Sequence, residues 1–152
     1  MPVEVIEVLG RQPALAARLA ESAVDAPGAA LVLALGDDCG DPERSWVSEG
    51  SVETIAALAS LTRDGTSRPV CLLVWSERDS DLRRRAAAEA TLEAARGLAQ
   101  VATLEDSTRA LRVNVVAGGP ESEDDVLRTV EFLCSPASGF VAGSTFDLRS
   151  GR

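Results

Sequence analysis

From Leu111 to Gly151 the sequence reads LRVNVVAGGPESEDDVLRTVEFLCSPASGFVAGSTFDLRSG, and no other stretch so limits what the chain can become. Val113, Val115 and Val116 form a short β-branched run of the kind a buried strand uses. Pro120 then breaks the chain behind two glycines. Ser122 is placed to cap the next helix, with Asp125 three residues on as its partner in a capping box. Apolar residues at 126, 127, 130 and 133 share one helical face, and Pro136 cannot continue that helix. Phe140, Val141, Phe146 and Leu148 read as a closing strand bent around Gly143.

Upstream the same alternation repeats. Val3 to Leu9 reads as a strand closed by Gly10, and Pro13 suits the first turn of a helix over 14–24 carrying Leu15, Leu19 and Val24. Pro27-Gly28 ends it, and the uniformly apolar run from Ala29 to Leu35 fits a strand covered on both faces. A polar loop over 36–50 holds Asp37, Asp38, Asp41 and Trp46. Ser51 to Leu61 is an amphipathic helix with Val52, Ile55, Leu58 and Leu61 along it. After the Asp64-Gly65 turn, Val70 to Trp75 is the central buried strand, and a long helix runs from about Leu82 to Leu104. This order predicts an α/β fold: a Rossmann-like three-layer sandwich with a mainly parallel five-stranded sheet, helices on both faces and right-handed crossovers. The short crossover at 14–24 places strand 3–9 directly beside strand 29–35, with Glu4 and Glu7 guarding an exposed edge. No repeat or long linker divides the 152 residues, so residues 1–152 are expected to form one domain.

Charge and residue usage exclude several functions. A formal charge of −9 argues against binding nucleic acid or an anionic membrane. The start, MPVEVIEV, is acidic where a signal peptide is basic, and no apolar run approaches a membrane span. A cytoplasmic protein is the resulting expectation. Cys71 and Cys134 lie in apolar runs and read as buried thiols of a reducing compartment, whereas Cys39 sits in a polar loop. The chain has no histidine and no tyrosine, and all 15 basic residues are arginine. Catalysis would have to rest on carboxylates, thiols or hydroxyls alone, because arginine does not readily act as a base.

Arg112-Val113-Asn114, Phe132-Leu133, Ser135, Gly143 and Gly151 together resemble the C-terminal end of the short-chain dehydrogenase/reductase family. That family's pattern there is an Arg-Val-Asn strand, a Pro-Gly loop, a helix ending in Phe-Leu and Ser, then Thr-Gly and Asp-Gly-Gly. Gly118 stands where the loop proline would be, Ala142 for the threonine, and Arg149-Ser150 for the first two residues of the ending. The resemblance implies that strand 3–9 is similar to the family's third strand. The first βαβ unit, whose glycine-rich turn receives the cofactor pyrophosphate, then has no counterpart in the sequence. It also places Leu33-Ala34-Leu35-Gly36 where the family has Asn-Asn-Ala-Gly, and Arg84 and Ala88 near its Tyr-x-x-x-Lys. Ser76 falls near the family's serine, and Glu77 fits that position about as well. With neither tyrosine nor lysine in the chain, the implied member is degenerate, without catalytic residues, bound cofactor or metal.

Other candidates read more simply as structure. Asp37, Asp38 and Asp41 with Gly36 and Gly40 suit a turn better than a cation site. Arg83-Arg84-Arg85 opposes the dipole at a helix start and is read as a solvated turn balanced by Asp79 and Asp81. Ala117-Gly118-Gly119-Pro120 reads as a backbone bend. The long helix is different. Beyond its first turn the main polar residues, Glu89, Glu93, Arg96, Gln100 and Thr103, fall on one stripe, and apart from Thr91 and Gly97 the rest is Ala, Leu or Val, leaving an apolar arc wider than one sheet contact needs. Ala87, Ala90, Ala94 and Leu98 form a second row on which another helix can pack. In the resembling family this helix and the one before it pair with their copies in a neighbouring subunit, which adds Val52, Ile55 and Ala59 to the candidate partner interface. Two readings follow. One is a non-catalytic subunit that associates with itself or with a full-length reductase of the family, stabilising or regulating it. The other is a small-ligand-binding module using the vacated cofactor cleft, with Trp46 as part of a lid. An oxidoreductase ranks below both.

Overall fold

A computed structural model of the chain describes residues 3–9, 17–19, 21, 30–36, 56, 69–76, 82–105 and 111–149. Five strands form one sheet: β1 (Val3–Leu9), β2 (Ala30–Gly36), β3 (Pro69–Trp75), β4 (Arg112–Gly118) and β5 (Thr145–Asp147). They lie side by side in chain order, and every neighbouring pair is parallel. The direct pairing of the first two strands is as the sequence implied, with Val3 opposite Ala30 and Ile6 opposite Leu33.

Both faces of β3 are covered, which is why its sequence is apolar throughout rather than alternating. Cys71, Leu73 and Trp75 point into one buried cluster; Val70, Leu72 and Val74 point into the other. Helix α1 (Leu82–Glu105) supplies Leu92, Ala95 and Ala99 to the second cluster. Helix α2 (Glu123–Cys134) supplies Val126, Leu127, Val130 and Leu133 to the first, where helical Leu19 also lies. The small Ala95 and Ala99 let α1 sit close to the β4 residues Val113, Val115 and Ala117, all fully buried.

Several sequence expectations need correction. β3, β4 and β5 advance in one direction across the sheet, yet α1 and α2 cover opposite faces. The two crossovers therefore have opposite hands, and right-handedness cannot hold for both. The second has extra chain on either side of α2: a 3₁₀ turn at Pro120–Ser122 before it, and a 3₁₀ turn at Pro136–Ser138 plus a loop to Ser144 after it. That slack relaxes the constraint that sets the usual hand. The closing strand is also shorter than read. Its register with β4 covers Thr145–Asp147, backbone bonds to β4 flank it at Gly143, Ser144 and Leu148, and Phe140 lies outside it, fully exposed at 104%. The bend at Gly143 is real, with φ of 67° in the left-handed region that favours glycine. Most of the helices read at 14–24 and 51–61, the loop over 36–50 with Cys39 and Trp46, and the Glu4 and Glu7 side chains lie outside the described residues.

Candidate functional site

In a parallel sheet the carboxyl ends of the strands are where ligands gather. Here that rim is formed by Ser76 after β3 and by Gly118, Gly119 and Pro120 at the end of β4. The two strand ends are stitched together by the Ser76 amide, which donates to the Gly118 carbonyl at 3.0 Å. Both glycines are demanded by close approach. A Cβ on Gly118 would run into Val126 Cγ2 of α2, and one on Gly119 would run into the Ser76 carbonyl oxygen. The Gly-Gly pair is thus packed between β3 and the first turn of α2, which supports its reading as a backbone bend.

Ser122 stands at the N-cap position of α2 but does not cap it. Its hydroxyl turns back, accepting from the Gly119 amide at 3.1 Å and donating to the Gly119 carbonyl at 3.2 Å. The expected capping box with Asp125 is therefore not formed, because the Gly119 backbone offers Ser122 a donor and an acceptor together. Asp125 instead lies near Arg128 at 3.4 Å. Carboxylates crowd this end of α2, at Glu121, Glu123, Asp124 and Asp125, where the helix dipole favours them. Arg18 crosses from the neighbouring helical segment to Glu123 and to Asp124, the latter at 3.1 Å. The depression between them, about 470 Å³, is open and lined almost wholly by charged groups. Among the described residues no three His, Cys, Asp or Glu side chains are grouped to hold a metal ion.

The residues that carry the family resemblance do structural work at the far side of β4. Asn114, 1% exposed in the middle of that strand, donates to the Val141 carbonyl at 3.0 Å and accepts from the Ser144 amide at 3.1 Å. Arg112 donates to the Ser138 carbonyl at 2.6 Å and to its hydroxyl at 2.9 Å. Ser138 Oγ in turn donates to the Leu133 carbonyl at the end of α2. Arg-Val-Asn is thus a clamp that folds the segment after α2 back onto β4. Arg149, beyond β5, ties that strand to α1 through Asp147 at 2.7 Å and Glu89 at 2.7 Å. The Asp147 carboxylate, then Glu89, raises the Arg149 pKa further above its ordinary value.

The outer surface of α1 divides along its length. Glu89, Glu93, Arg96 and Gln100 are exposed on one stripe, as the spacing implied. Thr103 leaves that stripe: it is half-buried, donates to the Ala99 carbonyl at 2.8 Å and lies against Gly143. Its hydroxyl satisfies itself on the helix backbone, so it can face the loop before β5. Of the candidate interface residues, Ala90 is exposed, whereas Ala87, Ala94 and Leu98 are half-buried. Ala94 and Leu98 pack partly against the sheet cluster. Val52, Ile55 and Ala59 lie outside the described residues. The uncovered apolar stripe continues instead through Gly97, Val101 at 55% exposure and Leu104 at 77%. Positions 87, 90, 94, 97, 101 and 104 alternate three- and four-residue steps, the spacing of a helix–helix seam. That spacing is legible in the sequence, and counting it in heptads rather than rows would have added Gly97, Val101 and Leu104.

No protein-family model matches the chain, and no curated protein does. Solved structures do. A putative short-chain dehydrogenase/reductase from Sinorhizobium meliloti 1021 matches at 24% identity and a TM-score of 0.55, over 92% of this chain and 66% of that one. BdcA from E. coli matches at 21% and 0.56, over 78% of this chain and 59% of its own. The NADH-dependent enoyl-[acyl-carrier-protein] reductase of Aquifex aeolicus VF5 matches at 17% and 0.54, over 79% and 60%. The likeness is one of fold: a Rossmann-like α/β sandwich of the short-chain dehydrogenase/reductase type. The chain spans about three fifths of the length of BdcA and the Aquifex reductase.

Proposed function

We propose that this chain is a non-catalytic subunit built on the short-chain dehydrogenase/reductase fold. It associates through the outer face of α1 with a full-length reductase of that fold, or with a second copy of itself, and stabilises or regulates the assembly. The observation that carries this reading is the uncovered seam on α1, where Ala90, Gly97, Val101 and Leu104 face solvent beside a fully polar stripe. A soluble helix facing only the sheet on one side and water on the other would place polar residues there.

Composition supports the non-catalytic part. A chain without tyrosine, histidine or lysine has no residue able to take the proton-transfer role that tyrosine and lysine share in the resembling family. Ser76 remains at the right strand end, but a serine without an activating base is a weak nucleophile.

The test is the state of association. At micromolar concentration the protein should sediment as a dimer or larger species, or should capture a reductase from its source cells. Ala94→Arg should dissociate the assembly while the far-ultraviolet circular dichroism stays native. Since Ala94 also touches the sheet cluster, the exposed Ala90 gives the cleaner variant, Ala90→Arg. Either arginine would have to be buried without a partner across the seam, at a cost of several kcal/mol. A monomer that captures no reductase, or an assembly that tolerates Ala90→Arg, ends this reading.

A further inference from the structure

We draw no further inference here: the strongest candidate, the surface patch formed by the open edge of β5 and the fully exposed Phe140 in the loop before it, carries nothing, because nothing in the structure shows what covers it.

Discussion

Asn114 shows most directly how one residue earns its place here. A polar amide in the middle of a buried valine strand is costly unless satisfied, and this one is satisfied at both ends, by Val141 and Ser144. Asn114→Ala would remove both bonds and leave a carbonyl and an amide without their partner. The expected loss is about 2–3 kcal/mol of folding stability, read from chemical denaturation. Asn114→Asp should be no rescue, because its carboxylate can accept from Ser144 but cannot donate to Val141. The asparagine was visible in the sequence as part of a family resemblance, but its partners lie some thirty residues away and only the fold brings them in. The same holds for Ser122. Sequence spacing suggested a capping box, yet the Gly119 backbone, offering both a donor and an acceptor, won the hydroxyl.

At the scale of elements, the long periodic segments were the most legible. The long helix, both apolar strands of the centre and the helix before Pro136 fall within a residue or so of their sequence bounds. The closing strand was over-read at its start: Val141 is apolar because it packs against the α2 cluster rather than pairing, and Phe140 stands in solvent, where nothing in the structure explains its apolar side chain. Which face of α1 remains open was only partly legible, since alanine suits a covered position and an exposed one alike. Gly97 offers a sharp test of that face. A Cβ added there meets nothing within 4 Å. In the isolated fold Gly97→Ala should therefore raise stability by about 0.5–1 kcal/mol, the usual gain for removing a mid-helix glycine. If α1 forms the proposed seam, the same methyl enters it in the assembled protein. We expect the melting temperature of the dilute monomer to rise and the association constant, measured by sedimentation, to fall. A rise in both would place the seam elsewhere.

For the molecule as a whole, the charge of −9 and the absence of histidine act together. Side chains that titrate near neutrality are mainly histidines, so the melting temperature should be flat between about pH 6 and 8 and should fall only as carboxylates protonate at lower pH. Flatness removes protonation as a confounder and leaves ionic strength as the informative variable. Two copies of so acidic a chain repel one another, while the α1 seam that would join them is apolar. Screening weakens the repulsion, with a Debye length near 30 Å at about 0.01 M salt and near 8 Å at about 0.15 M. If the partner across α1 is a second copy, sedimentation should therefore show tighter association as sodium chloride is raised through this range. A partner drawn in by positive charge would be released by the same salt, and a contact that weakens in this way could not be a self-association through the apolar face of α1. The direction of one salt titration, at any pH within the flat window, thus separates the two forms of the proposed assembly.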